Sequence, residues 1–326
     1  MNQPLTITES GSIWPPGTET RSGLYGTALV ELAARNEKIV CLGGDLSKPT
    51  ETDLFRQRFP ERFYNFGAAE ANLVSAAAGM AREGDIPFVN TFGVFATRRC
   101  FDQVAMQVAY PPTNVKLIGF MPGLSSPGGP THQAIDDVAL MRALPNMTVL
   151  EPACANQVAT MLRAVAAHDG PVYMRIKRGD MPVLLPEDAP FKLGEAQTVQ
   201  RGGDGVIFAS GVMVAIALDA AKQLKAGGHD VGVCNIHTLK PLDAQAVVAA
   251  AREAGTVVTA ENHSIIGGLG SAVAEAIAEA GLGVGFARVG IEDRFAEGAS
   301  APYLFETYGL TAKAIVAGYH RAAAAC

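Results

Sequence analysis

The chain has 326 residues, of which 48% are hydrophobic and 18% charged, a balance that suits a globular protein with a sizeable core. Its net charge of −6 and pI near 5.6 argue against a nucleic-acid-binding protein. No apolar run reaches the roughly 18 residues that a membrane-spanning helix needs. Five scattered cysteines without C-x-x-C spacing and an N-terminus without a signal-peptide pattern predict reduced thiols and a cytoplasmic location.

Residues 1–20 are polar and contain a Pro-Pro-Gly segment, so we expect an irregular arm. Trp14 within this arm is expected either to anchor it on the surface or to dock it onto a partner. Strand and helix patterns alternate from 21 to 178, which predicts a parallel sheet covered on both faces. The predicted helices span 23–35, 55–59, 70–81, 98–109, 135–144 and 156–167. The predicted strands span 38–42, 86–92, 115–120, 147–150 and 172–176.

A segment rich in proline and charge, 179–200, is expected to be an interdomain linker. A second alternation of strands and helices follows over 201–326. Its predicted strands span 206–209, 231–234, 256–260 and 286–289, and its predicted helices span 214–225, 244–254, 271–280 and 311–324. The predicted fold class is therefore α/β, with two open, mostly parallel-sheet domains.

The stretch from 66 to 100 is predicted to form a loop, a helix, a strand and a turn. Glu70 falls in the first turn of that helix, where the macrodipole favours an anion. Phe92 and Phe95 lie at the end of the strand 86–92 and in the turn that follows it. In an open α/β sheet, residues at the carboxyl ends of strands tend to face a ligand crevice.

This stretch, with its A-E-A-N and T-F-G-V-F segments, resembles the pyrimidine-binding domain of thiamine diphosphate enzymes, the transketolase family in particular. The resemblance implies that Glu70 binds N1′ of the cofactor's aminopyrimidine and that Phe95 stacks on its ring. It also implies that Phe92 lines the same pocket. Asp45, in the G-G-D-L segment after the first predicted strand, is assigned to the same cofactor site.

Further motifs extend the resemblance over about residues 20–320: H-T-L-K-P-L-D at 237–243, A-E-N-H-S-I-I-G-G-L-G-S at 260–271 and G-I-E-D-R-F-A-E-G at 290–298. G-P-T-H-Q at 129–133 implies that His132 lies near the substrate hydroxyls and the reacting carbon, where imidazole suits proton transfer. Arg21 and Arg178 stand where the family binds a sugar phosphate, which a guanidinium holds through two hydrogen bonds.

Three positions depart from the family pattern. Gly128 replaces an acid that contacts a sugar hydroxyl, Phe120 replaces a phosphate-contacting histidine, and Arg98 replaces an aromatic residue. The substrate is therefore expected to be a phosphorylated ketose, with an unusual or unphosphorylated donor left open. Two glycine motifs are rejected as sites. The segment 203–205, together with Asn235, mimics a magnesium-diphosphate motif. The segment 267–270 suggests dinucleotide binding but lacks the full fingerprint, so we attribute it to tight helix packing.

The resemblance implies that this chain is the C-terminal half of a split transketolase that moves a two-carbon ketol unit from a ketose to an aldose. A separate subunit is expected to hold the diphosphate through Mg²⁺, and no metal ligand is assigned to this chain. We expect a heterotetramer with homodimeric contacts. The face that bears Glu70 and the small-residue helix 75–81 is expected to pair with a second copy of this chain or with the other subunit. The alternatives are a 1-deoxyxylulose-5-phosphate synthase-like enzyme or 2-oxoacid-decarboxylating subunit, and a non-catalytic scaffold.

Overall fold

The structure, a computed structural model, describes residues 12–325. Its strands in chain order are β1 (Thr20–Arg21), β2 (Ile39–Gly43), β3 (Phe63–Asn65), β4 (Ile86–Phe92), β5 (Lys116–Phe120), β6 (Thr148–Leu150), β7 (Val172–Ile176), β8 (Met181–Pro182), β9 (Gln197–Gln200), β10 (Gly205–Ala209), β11 (Val231–Asn235), β12 (Thr238–Lys240), β13 (Thr256–Ser264) and β14 (Gly285–Ile291). Its α-helices are α1 (Leu24–Arg35), α2 (Asp53–Arg58), α3 (Glu70–Arg82), α4 (Gly93–Thr97), α5 (Phe101–Gln103), α6 (Asp137–Ala143), α7 (Ala155–Ala167), α8 (Met213–Ala226), α9 (Ala244–Ala254), α10 (Leu269–Glu279), α11 (Ala301–Thr307) and α12 (Ala312–Ala323).

The first sheet has the order β12-β6-β7-β5-β4-β2-β3, and all its neighbours are parallel except β12 and β6. Side chains of β2 alternate between its two faces, as a pleated strand requires. Ile39 packs on the core that includes α1 and α7, whereas Val40 packs on the core that includes α3 and α6. The predicted α/β class and the covered parallel sheet are confirmed.

The second sheet has the order β14-β13-β10-β11-β9, with the antiparallel strand β9 at its edge. The segment predicted as a linker, 179–200, therefore contains β9, and it also contains β8, which pairs with β1. The sequence did not indicate β9 because Gln197-Thr198-Val199-Gln200 is an edge strand with polar side chains and lacks an apolar run.

The stretch around the predicted helix 98–109 differs from expectation. A helical course begins already at Gly93, with α4, a 3₁₀ turn at Arg98–Cys100, α5 and a π-helical stretch at Val104–Ala109. Phe95 consequently lies on a helix and not in a turn. Gly93, the first residue of α4, allows close packing, since a Cβ there would lie 3.1 Å from both Ala134 Cβ and the Tyr173 hydroxyl.

A buried polar network joins the two halves of the chain. Arg175 is fully buried, and its Nε donates to Asp137 Oδ2 at 3.0 Å while its Nη2 donates to the Asn262 carbonyl at 3.1 Å. Arg175 Nη1 also lies 3.3 Å from Glu151 Oε2. Because buried charges require such partners, the network holds β13 of the second half against the first sheet.

Trp14 anchors the N-terminal arm on its own chain. Its ring is 7% exposed and packs in the core of the second half. The indole Nε1 donates to Asp180 Oδ2 at 2.8 Å. Docking of Trp14 onto a partner, one of the two alternatives from the sequence, is therefore wrong, because the buried ring is already engaged. Residues 1–11 of the predicted arm lie outside the described residues.

Candidate active site

The candidate site lies where four neighbouring strands end. The adjacent strands β5, β4, β2 and β3 are parallel, so the loops and helices that follow them meet at one edge of the sheet. Glu70 is the first residue of α3 and is only 4% exposed. Its carboxylate lies at the positive end of the helix dipole, as expected from the sequence.

Three rings predicted to belong to one site are in contact. Phe92 and Phe95 are stacked with ring centroids 5.9 Å apart, and the His132 ring meets Phe95 edge-on at 5.2 Å. Leu46, Val94 and Ala134 complete this apolar cluster. Phe95 is 7% exposed. The structure therefore brings together three rings that are up to 40 positions apart in the chain, and we call Phe92, Phe95 and His132 the aromatic cluster.

Arg99 connects Glu70 with the aromatic cluster. Its Nη1 lies 3.2 Å from Glu70 Oε1 and 3.3 Å from Oε2, and its guanidinium carbon lies 3.9 Å from the Phe95 ring centroid. No role was assigned to Arg99 from the sequence. The available signal was that Arg99 follows Phe95 by four residues. On a helix this spacing puts both side chains on one face.

The loop that carries His132 is tightly constrained. The His132 amide donates to the Gly129 carbonyl at 2.9 Å, and Thr131 Oγ1 lies 2.8 Å from His132 Nδ1. Gly128 packs directly on the histidine, since a Cβ there would lie 2.7 Å from His132 Cβ. Any side chain at 128 would displace the loop, so this loop conformation excludes the acid that the family pattern has there.

Three other predicted site residues make no hydrogen bond or ion pair with Glu70 or the aromatic cluster within residues 12–325. Asp45 is exposed, and its backbone amide donates to Asn65 Oδ1 at 3.1 Å. Arg21 Nη1 is paired with Glu187 Oε1 at 2.8 Å on the surface. Arg178 is half-buried. Arg21 on β1 pairs with Met181 on β8, which lies three residues after Arg178, so the two arginines belong to neighbouring segments.

The structure agrees with the rejection of both glycine motifs as sites. Gly205 and Asn235 lie at opposite ends of the paired strands β10 and β11, since Gly205 pairs with Val231 and Ala209 with Asn235. They are therefore separated by about 13 Å along the strands and cannot share one ion. A Cβ on Gly268 would lie 1.9 Å from Glu261 Oε2, so the prediction of tight packing in 267–270 is confirmed.

The thiols near the site are buried. Burial and the nearby Glu70 carboxylate raise the pKa of Cys100 to about 12, which makes it a packing residue and not a nucleophile. Cys41, Cys154 and Cys234 are also buried and free. Among residues 12–325, no group of three or more His, Cys, Asp or Glu side chains is arranged to hold a metal ion. None of the described helices combines the length and the apolar character needed to cross a bilayer.

Comparison with known families agrees with this geometry. Residues 19–183 match the family described as transketolase, pyrimidine binding domain, and residues 194–315 match transketolase, C-terminal domain. The chain belongs to the transketolase family. It corresponds to the C-terminal half of these enzymes, and Glu70, the aromatic cluster and Arg99 all lie in the pyrimidine-binding domain of the transketolase fold.

Similar proteins include chains of the same extent and longer enzymes. The chain is 44% identical to the 6-deoxy-6-sulfo-D-fructose transketolase subunit SqwH of Clostridium sp., with 98% of this chain and 97% of that protein covered. It is 36% identical to 1-deoxy-D-xylulose-5-phosphate synthase 1 of Geobacter sulfurreducens, covering 93% of this chain but 48% of the synthase. A solved structure described as "Split gene transketolase, inactive beta4 tetramer" has a TM-score of 0.86 and 45% identity, covering 93% of this chain and 97% of that one.

Two departures from the transketolase pattern now have structural explanations. Phe120 is 1% exposed and meets Tyr25 edge-on, with centroids 5.2 Å apart, so it serves as a core residue. Arg98 Nη1 donates to the Pro130 carbonyl at 3.1 Å, which ties it to the His132 loop. Both side chains are therefore engaged within this transketolase-family chain, Phe120 in its core and Arg98 on the His132 loop.

Proposed function

We propose that this chain is the C-terminal subunit of a split transketolase that uses thiamine diphosphate and transfers a two-carbon ketol unit from a ketose to an aldose. The observation that supports it best is that one planar group, the Arg99 guanidinium, contacts the Glu70 carboxylate and the Phe95 face together. These are the two residues that the family resemblance assigns to the aminopyrimidine.

The residues present fit the cofactor's aminopyrimidine. A flat, nitrogen-containing group already lies on Phe95 with one nitrogen within hydrogen-bond distance of Glu70, so the site accommodates the shape of the ring and places a nitrogen beside the acid. In our proposal Glu70 carries a proton and hydrogen-bonds N1′, while Phe95 orients the ring and Phe92 lines the pocket. Asp45 is proposed to lie at the cofactor's edge. When bound, thiamine diphosphate supplies the nucleophilic carbon that a carbon–carbon bond cleavage beside a carbonyl requires.

His132 is proposed to hold or move a proton at a substrate hydroxyl. Thr131 Oγ1 engages Nδ1, and no hydrogen bond to Nε2 occurs among residues 12–325, so Nε2 is the nitrogen that remains for substrate. Contact with Phe95 keeps the ring beside the cofactor pocket. Imidazole is suited to proton transfer because its ordinary pKa lies near neutral pH.

The donor is proposed to be a ketose with an anionic terminus, either phosphate or sulfonate. Arg21 and Arg178 would bind this terminus, and the relative from Clostridium is named for a sulfonated ketose. Arg21 is exposed and already pairs with a carboxylate, Glu187, which an anionic substrate group would replace. The altered positions Gly128 and Phe120 favour a substrate other than the usual sugar phosphates of the family.

The diphosphate and Mg²⁺ are proposed to be held by a separate subunit in a heterotetramer with homodimeric contacts. The relative described as an inactive tetramer of beta chains supports the view that such a chain needs a second subunit. Contact is proposed through the face that bears Glu70 and the small residues of α3. Light scattering of the mixed subunits tests this assembly, and a stable monomer in the presence of the second subunit would contradict it.

The test of function is an assay of the co-purified subunits with thiamine diphosphate and Mg²⁺. Ketol transfer from phosphorylated or sulfonated ketoses is the expected result. Turnover of pyruvate without ketol transfer would favour the synthase-like or decarboxylating alternative. The similarity to the Geobacter synthase is the observation that supports this alternative. Cofactor binding with neither reaction would favour the scaffold alternative.

A further inference from the structure

We propose that Arg99 is an exchangeable placeholder for the aminopyrimidine ring, so that cofactor binding requires its guanidinium to leave the space between Glu70 and Phe95. This inference rests on the proposed function. It concerns how the site is stabilised before the cofactor binds and how tightly it binds thiamine diphosphate. It assigns a role to a residue that the family motifs in this chain do not include.

The first argument is the coincidence of contacts. The guanidinium engages both oxygens of Glu70 and lies 3.9 Å from the Phe95 ring centroid. A ring that hydrogen-bonds Glu70 and stacks on Phe95 needs the same volume. Arginine is a close substitute for the ring in shape, because its guanidinium is planar and stacks on aromatic faces. It donates to the charged acid, whereas N1′ accepts a hydrogen bond from the protonated acid. The two groups therefore cannot occupy the site together.

The second argument is that the buried carboxylate of Glu70 requires a hydrogen-bonding partner. Glu70 is 4% exposed, and Arg99 is the hydrogen-bond partner of its side chain within residues 12–325. A buried carboxylate without a partner is strongly unfavourable. Arg99 thus stabilises the charged acid before the cofactor arrives, and afterwards Glu70 is satisfied by carrying a proton and donating it to N1′.

The third argument is that Arg99 is free to leave. Its side chain is 51% exposed, so its guanidinium can move into water without disturbing the core. The neighbouring Arg98 is 29% exposed and is held by Asp136 and the Pro130 carbonyl. Of the two adjacent arginines, one is fixed to the His132 loop and the other is exchangeable.

The placeholder lowers cofactor affinity by a predictable amount. Only molecules in which the Arg99 contact is already broken can bind the cofactor. The apparent dissociation constant is therefore the intrinsic constant divided by the fraction of such molecules. One half-exposed ion pair and one cation–π contact suggest a penalty of about three- to tenfold. Removing the guanidinium should therefore tighten binding, which is the opposite of what loss of a cofactor-binding residue does.

The experiment measures the dissociation constant of thiamine diphosphate with Mg²⁺ by calorimetry in the complex of this chain with its diphosphate-binding subunit. Arg99→Ala should lower the constant about three- to tenfold, and Arg99→Lys, which keeps the charge but loses the planar fork, should lower it less. The matched control is Arg163→Ala, an exposed arginine on α7, which should leave the constant unchanged. In a Glu70→Gln background the gain from Arg99→Ala should shrink, because the neutral amide attracts the guanidinium less.

The outcomes separate this inference from the proposed function. If the wild-type complex binds the cofactor and Arg99→Ala binds it equally or more weakly, the placeholder is overturned and the proposed function stands. An undiminished gain in the Glu70→Gln background would also overturn it, since Glu70 would not be the contact that competes. If the assembled wild-type complex binds no thiamine diphosphate, both the proposed function and the placeholder are wrong.

Discussion

Arg98 Nε lies 3.0 Å from Oδ1 and 2.9 Å from Oδ2 of Asp136, so a single N–H is shared between both carboxylate oxygens. The same guanidinium donates through Nη1 to the Pro130 carbonyl. Pro130 and Asp136 flank His132, and Arg98 therefore ties both ends of the loop to the helical stretch that carries Phe95. Because both side chains are partly exposed, we expect the effect to be local and the contribution to global stability to be about 0–1 kcal/mol.

Arg98→Met keeps the length of the side chain and removes the charge. We expect a change of less than about 1 kcal/mol in the free energy of unfolding, but faster amide hydrogen exchange in residues 128–133. Turnover in the reconstituted complex should fall about three- to tenfold, because a loosened histidine loses its alignment with the substrate. Hydrogen exchange and steady-state kinetics measure this, and exchange as slow as in the wild type would contradict the positioning role.

Glu70→Gln preserves size but removes the acidic proton that the proposed N1′ contact requires. A hydrogen bond to a charged group is worth about 1.5–3 kcal/mol, so turnover should fall roughly ten- to a hundredfold with cofactor saturating. Glu31→Gln, an exposed acid on α1, is the matched control and should retain full activity. Nearly full turnover of Glu70→Gln in an assembled complex would show that the thiamine interpretation of this site is wrong.

Phe95→Ala should act differently from the change at Glu70. The ring positions the aminopyrimidine and performs no proton chemistry, so we expect weaker cofactor binding, with turnover partly restored at saturating cofactor. Calorimetric titration with thiamine diphosphate and kinetics at high cofactor concentration measure both effects. A loss of turnover with unchanged cofactor affinity would argue against stacking.

Replacement of Arg21 or Arg178 by alanine should raise the Michaelis constant for a phosphorylated or sulfonated ketose. Donors without an anionic terminus should be little affected, because the lost contact is with the anion alone. Arg163→Ala again provides an exposed arginine as a control. Equal effects on charged and uncharged donors would remove both arginines from the anion site.

His237 makes stability depend on pH. Its ring packs on Phe191 with centroids 4.6 Å apart, and burial lowers its pKa to about 4. The unfolded state, with an ordinary histidine pKa near 6.5, binds more protons between these values, so stability should fall as the pH drops from about 6.5 to 4, by on the order of 2–3 kcal/mol. Chemical denaturation across this range should show a smaller loss in His237→Gln, whereas His320→Gln, at an exposed histidine, should behave as the wild type.

Much of the architecture was determined by the sequence itself. The strands 86–92 and 172–176 and the helix 244–254 have the predicted bounds, because buried apolar runs and helical periodicity are local signals. The juxtaposition of Phe95 and His132 was also predictable in outline, since each follows a predicted strand whose carboxyl end lies at one sheet edge. Glu70 follows β3, which the sequence did not indicate, so its place beside Phe95 was implied by the family resemblance alone. Their motifs carried the family resemblance that the comparisons confirm.

Only the tertiary structure decided which side chains pair across that edge. The contact of Arg99 with Glu70, the engagement of Arg98 by Asp136 and the burial of Trp14 in the second half all join segments that are distant in sequence. The strands β9 and β12 likewise form only because each pairs with a neighbouring strand, β11 and β6 respectively, and the local sequence pattern does not specify these partners. Ion pairs and edge-strand pairing are settled by where packed elements meet, and a polar side chain carries no periodic signal of the partner that it will find there.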